Sequence, residues 1–212
     1  MAATAEKVKR GRKFAQVLEG ARQVFLRDGY EGANVDEIAR EAGVSKATLY
    51  NYFPDKRLLF LEVAKAECQR QADEAVEFDD GSAPPDRVLF AAGRRIADFV
   101  VSDFGQGVFR ICVAESDRFP EIGQEFYRSG PGLVRRRLAD YLREAVARGD
   151  LEIDDIDLAA DQFAELCKAD IQTRRVFRLP GCRSGETLDR IVRGAVEMFM
   201  ARYGVKKGQT KA

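Results

Sequence analysis

Apolar side chains recur at the three- and four-residue spacing of an α-helix along almost the whole chain. No useful length shows the strict alternation of a half-buried strand. Phe14, Val17, Leu18, Ala21 and Phe25 set the pattern and predict a first amphipathic helix over 12–27, after which Asp28-Gly29 and Glu31-Gly32 punctuate the chain as a turn. Asn34 reads as an N-cap, and Glu37 completes a capping-box arrangement for a short helix with Val35, Ile38, Ala39 and Ala42 on one face. Gly43 stops that helix, because glycine enters the left-handed conformation without a steric penalty. Ser45 caps the next helix, Lys46–Tyr52, and Phe53-Pro54 ends it, since the residue before proline is driven out of the α region. Asp55 caps a longer helix. Further helices are expected over 86–102, 106–116, 120–148, 156–177 and 185–203, which makes the chain all-α with about nine helices. The stretch 79–85, DDGSAPP, reads as a linker-like loop.

The composition removes most catalytic chemistries. Histidine is absent, and with it histidine metal sites, histidine general acid–base catalysis and histidine-activated nucleophiles. Cys68, Cys112, Cys167 and Cys182 form no C-x-x-C pair, and they read as thiols rather than metal ligands or disulfide partners. Asp154-Asp155 is a carboxylate pair, but its place before an apolar run suits helix capping better than catalysis. No phosphate-cradling glycine loop occurs. The chain is therefore not expected to be an enzyme, nor to carry a metal or cofactor. Apolar runs are far shorter than the ~20 residues a membrane span needs, and the basic N-terminus lacks a signal-peptide core, so a cytoplasmic protein without a membrane partner is expected.

Lysine plus arginine balance aspartate plus glutamate at 35 each, yet the charge is uneven. Residues 1–60 hold 11 Lys/Arg against 8 Asp/Glu, with Lys7, Lys9, Arg10, Arg12 and Lys13 crowded at the start. Such an arm suits phosphate contact, and it equally suits a solvated tail. Two short helices joined by a glycine turn, Val35–Ala42 and Lys46–Tyr52, have the size of a helix-turn-helix. Small Ala39 lets the pair approach, while Val44 and Leu49 fill the shared core. The second helix then turns Lys46, Thr48, Tyr50 and Asn51 outward, side chains that can enter a major groove. A plain helical hairpin with a polar surface has the same spacing.

The segment FLRDGYEGANVDEIAREAGVSKATLYNYFPDKRLLFLEV resembles the DNA-binding signature of the TetR family of regulators. The match rests on Ala39, Ala42, Gly43, Val44, Ser45, Thr48, Leu49, Tyr50, Tyr52, Phe53 and Lys56, within about residues 12–63. Asn34 stands where the family more often has Thr or Ser, and it caps as well as either. The resemblance implies that Ser45, Lys46, Thr48, Tyr50 and Asn51 form the DNA-binding face. It also implies that Tyr50 and Tyr52 turn their hydroxyls to the duplex backbone, unless the Tyr52 ring packs in the small core, and that Lys56 meets a phosphate. Arg12 and Lys13 are further phosphate candidates, and Phe53 is core. The expected organisation is a flexible basic arm (1–11), a helix-turn-helix domain (12–57), a helical effector-binding and dimerisation domain (58–204) and a flexible tail (205–212).

Residues 109–131, FRICVAESDRFPEIGQEFYRSGP, further resemble the AefR-like C-terminal subgroup. The resemblance implies a variable body that forms a homodimer and holds a small, partly apolar effector. Phe99, Phe104, Phe109, Arg110, Cys112, Phe126 and Tyr127 are the candidate pocket residues, although an aromatic stripe at helical spacing is more often core. Wide apolar stripes on the last helices make Phe163, Cys167, Ile171, Val192, Ala195, Val196 and Phe199 candidates for the dimer interface, the alternative being one broad core within the chain. The function expected is a ligand-responsive repressor that binds a palindromic operator in double-stranded DNA. The alternative is a DNA-binding regulator or architectural protein controlled by a protein partner.

Overall fold

A computed structural model describes residues 11–76 and 83–205. The expected arm up to residue 10, the linker residues 77–82 and the tail beyond 205 lie outside the described residues. The helices are α1 (Arg12–Gly32), α2 (Val35–Glu41), α3 (Lys46–Tyr52), α4 (Lys56–Val76), α5 (Pro85–Val101), α6 (Asp103–Glu115), α7 (Pro120–Ser129), α8 (Pro131–Ala147), α9 (Ile156–Leu166), α10 (Ile171–Val176) and α11 (Gly185–Tyr203). Among the described residues the only extended pairing is a single antiparallel bridge, Leu151 with Gly204. No helix among them is long and apolar enough to cross a membrane.

Two expected helices are each broken once. The run 120–148 divides at Gly130-Pro131, because proline has no N–H to give the preceding turn and instead opens α8 from its first position. The run 156–177 divides between Cys167, the C-cap of α9, and Asp170, whose φ of 62° lies outside helical geometry just before α10. In α1 the chain kinks at Gly29 (φ 69°), the position read as a turn, and then makes one more turn to Gly32. Asp155 caps α9 by accepting from the Leu158 N–H at 3.0 Å, which gives the acidic pair of that turn its capping role.

The described residues pack as two units. One joins α1, α2, α3 and α4 up to Glu67 with residues 107–123, a segment that the sequence reading places in the larger domain. Its core holds Val17, Ala21, Val24, Phe25, Ile38, Leu49, Leu59, Phe60 and Val63, all fully buried or nearly so. Phe60 meets Phe25 edge to face at 4.8 Å and Tyr30 at 5.1 Å, and Gly107 of α6 lies against the Phe60 ring. Arg57 is shared between Asp55 and Glu115 and sits 5.2 Å from the Phe119 ring centre, tying the end of α6 to the start of α4. Arg22 neutralises the buried carboxylate of Glu67 at 2.8 Å, as a charge taken out of water requires.

The other unit holds residues 68–106 and those from 124 on. Its core gathers Leu89 and Ala97 of α5, Leu138 and Leu142 of α8, Phe163 of α9, Ile171 of α10, and Val192, Ala195 and Phe199 of α11. Helix α5 lies close to α11 because Gly93 offers no side chain: a Cβ there would sit 2.8 Å from both Cys167 Sγ and Val192 Cγ1. Burial pushes the Cys167 thiol up to about 12. The thiolate is the reactive species. Iodoacetamide at about pH 8 should therefore leave Cys167 unmodified in the folded chain and alkylate it in denaturant, read by mass spectrometry of the peptide. Labelling in native buffer at the rate of an exposed thiol would refute its burial.

Candidate nucleic-acid interface

Local chemistry positions α2 and α3. The Asn34 carboxamide accepts from the Asp36 N–H at 2.9 Å, and the Ser45 hydroxyl accepts from the Thr48 N–H at 3.1 Å, so each helix starts at a capped residue. Between them Gly43 takes φ 64°, the left-handed turn that L side chains resist. The Val44 N–H donates to Ala39 O at 3.0 Å and closes the turn. Leu49, Ile38 and Ala39 are buried beneath the pair, as is Phe53, whose ring centre lies 5.4 Å from that of Phe14. Helix α1 approaches the end of α2 so closely that a Cβ on Gly20 would fall 2.5 Å from the Ala42 backbone nitrogen.

Burying one side of α3 leaves the other to solvent. Lys46, Ala47, Tyr50 and Asn51 are exposed, Tyr50 at 42%, and Thr48 is half-buried. The Thr48 and Ser45 hydroxyls lie 2.8 Å apart, so either can point a donor outward while the other accepts. Lys46, Thr48, Tyr50 and Asn51, with Ser45, itself exposed, form one short polar ridge. Arg12 and Lys13 are exposed on the first turn of α1. Tyr52 is half-buried with its ring edge-on to Phe14 at 5.8 Å, which assigns the ring to packing.

Lys56, the expected phosphate contact, is also held within the protein. Its ammonium donates to Tyr30 O at 2.7 Å and to Ala33 O at 3.1 Å, and lies 4.4 Å from the Tyr30 ring centre. It therefore binds carbonyls orphaned where α1 ends, and holds the α1–α2 turn to α4. The capping box is also open: the Glu37 carboxylate goes to Arg27 at 2.7 Å and Arg40 at 3.3 Å. Arg27 is held in addition by Asp28; the two carboxylates raise its guanidinium above the usual arginine range, and the hydrogen bond from Arg27 lowers the Asp28 carboxyl below its ordinary value. A contact missed by the sequence reading joins Lys46 Nζ to Asp36 Oδ1 at 2.8 Å, and hydrogen bonding to that carboxylate holds the lysine above its ordinary range. The available signal was an acid in the first turn of α2, although nothing local pairs it with the start of α3.

The other candidate residues fall differently. Phe163, Cys167, Ile171, Val192, Ala195, Val196 and Phe199, expected at a dimer interface, are all buried in the chain's own core. They pack on one another: Phe163 meets Phe199 edge to face at 5.3 Å. Of the candidate pocket residues, Phe104 and Cys112 are buried, and Phe99, Phe109 and Phe126 are half-buried. Phe99 and Phe104 meet edge to face at 6.5 Å. Arg110 and Tyr127 are exposed.

Residues 17–63 match the family of bacterial regulatory proteins described as the tetR family, and residues 87–205 match the C-terminal domain of AefR-like transcriptional repressors. The transcriptional repressor AcnR of Corynebacterium diphtheriae is 39% identical over 62 residues, 29% of this chain and 33% of that protein. The match thus spans about a third of the length of such curated relatives. Likeness over the full length comes from solved structures. A TetR-family transcriptional regulator from Mesorhizobium loti superposes with a TM-score of 0.78 at 27% identity, over 94% of this chain and 100% of its own. The flavonoid-responsive regulator FrrA superposes at 0.66 with 34% identity, over 92% and 99% of the two chains.

Proposed function

The chain belongs to the TetR family of transcriptional regulators, and from that premise we propose that it is a homodimeric, effector-responsive repressor acting in the cytoplasm. The observation that carries the reading is the exposed ridge of α3, with Ser45, Lys46, Thr48, Tyr50 and Asn51 outward over a buried Leu49. A short helix of this kind fits the major groove, where hydroxyl, amide and ammonium groups can read base edges. Arg12 and Lys13 add phosphate contacts that set its register. Lys56, with two of its three ammonium protons given to Tyr30 O and Ala33 O, keeps one for a phosphate.

Two copies are needed, because one short helix reads only a half-site and twofold symmetry presents the ridge again one helical turn along the duplex. With the apolar stripes of α9 and α11 turned inward, the mating surface must come from their other sides, where Leu158 and Met198 are exposed. The effector is a small, planar, partly apolar aromatic compound, a class supported by the responsiveness that FrrA's name records. It releases DNA by binding more tightly to a form of the dimer whose α3 spacing does not match the duplex.

Selection of bound sequences from random DNA should enrich an inverted repeat. On that duplex Tyr50→Ala should weaken binding by roughly 5- to 150-fold, the range for losing one base-edge contact, with the dimer's mass unchanged. Adding a hydroxylated flavonoid should raise the melting temperature and release the duplex. Unselective recovery of sequences, together with undiminished binding by Tyr50→Ala, would overturn the reading.

A further inference from the structure

We propose that Asp36 is a specificity-determining positioning residue, which pins Lys46 as a base-edge donor and keeps it from following the phosphate backbone. The inference rests on the DNA-binding reading above. Asp36 lies in the first turn of α2 and Lys46 opens α3, so their contact spans the two halves of the helix-turn-helix. Both ends are fixed at the backbone: the Asp36 N–H is bound by the Asn34 side chain, and the residue before Lys46 is the Ser45 cap. The pair is open to water, with 64% of the aspartate and 53% of the lysine side chain exposed, so any other anion can reach it.

An ammonium carries three protons, and Asp36 takes one of them at 2.8 Å. The remaining two can serve acceptors in the major groove while the carboxylate still sets the direction of the side chain. A phosphate oxygen, itself an anion, competes with the Asp36 carboxylate for the ammonium. On a random duplex, where phosphate contacts supply the affinity, Lys46 must leave Asp36 first, and the carboxylate is then left facing the polyanion. The neighbouring cations follow the same pattern, since Glu37 takes both Arg27 and Arg40. Non-specific affinity is therefore held down at Lys46, while an operator that offers base acceptors is bound with the pair intact.

The test compares the protein with Asp36→Asn, Lys46→Ala and the double variant. Fluorescence anisotropy is read on a random-sequence duplex and on the duplex selected by the protein, from about 50 to about 200 mM salt. Asparagine keeps the size of the side chain and removes its charge. Asp36→Asn should bind the random duplex about five- to tenfold tighter at the lowest salt, with a log–log salt slope steeper by about 0.9, the increment for one more phosphate contact. It should gain nothing on the selected duplex, so discrimination falls by the same factor. In the Lys46→Ala background the change at position 36 should leave the slope unaltered. An unchanged slope, an equal gain without Lys46, or an equal gain on the selected duplex would each overturn the proposal. Failure of the unmodified protein to hold either duplex at the lowest salt would instead refute the DNA-binding reading, and this inference with it.

Discussion

Phe163→Ala should cost about 3–5 kcal/mol of folding stability, the usual loss when a buried phenylalanine is cut to a methyl group and the cavity cannot close. The ring has no exposed surface, stands edge-on to Phe199 at 5.3 Å, and lies beside the tight approach of Gly93 to Cys167 and Val192. Collapse around the gap is restricted because α5 already touches its neighbours there. The loss should appear as a lowered melting temperature, and its size should not change between dilute and concentrated samples. Sedimentation of the folded fraction should give the mass of the unmodified protein. A residue at a subunit interface behaves in the opposite way, weakening association while sparing the folded protomer, and that outcome would return Phe163 to the surface.

Gly20→Ala should have nearly as large an effect, by collision instead of cavity. Its new methyl group would lie 2.5 Å from Ala42 N, 2.7 Å from Ala42 Cα and 2.8 Å from Ala42 Cβ. Two of those atoms are backbone, so no rotamer change relieves the contact, and α1 must move from the end of α2. About 3 kcal/mol is expected, the upper part of the range for overpacking, even though alanine is the better helix former. Since Ala42 leads directly into the Gly43 turn and α3, duplex binding should weaken along with the melting temperature. Gly194→Ala is the matched control. A Cβ there meets nothing within 4 Å, and the change should stabilise the chain by up to ~1 kcal/mol. Equal behaviour of the two variants would show that helix propensity, not the approach at Ala42, governs position 20.

What could be read from the chain was local in origin. Asn34, Gly43, Ser45 and Asp55 act on backbone groups two or three residues away, so their roles survive without knowledge of the fold. The ridge of α3 follows from the same short-range pattern once Leu49 is placed inward. Periodicity carried the reading too far at two places, because helices on both sides of a break bury the same kind of face. Gly130-Pro131 held a usable signal for the first break, whereas a left-handed aspartate at position 170 has none. Lys56 and Asp36 were not legible, since their partners Tyr30, Ala33 and Lys46 are brought to them by tertiary structure. The apolar stripes of α9 and α11 show the same limit. Their width announces burial, but a sequence does not say whether the covering surface belongs to the same chain or to a copy of it.

The pairing of Leu151 with Gly204 has a practical consequence. Backbone bonds from Glu152 N to Tyr203 O at 2.8 Å and from Val205 N to Asp150 O at 3.2 Å anchor the final turn of α11 without help from side chains. Helix ends ordinarily fray, so a spectroscopic label near one reports its own wandering as well as the molecule's. A spin label or dye attached at Val205 begins from an anchored point, and in a symmetric assembly the distance between two such labels would measure the separation of the protomers themselves.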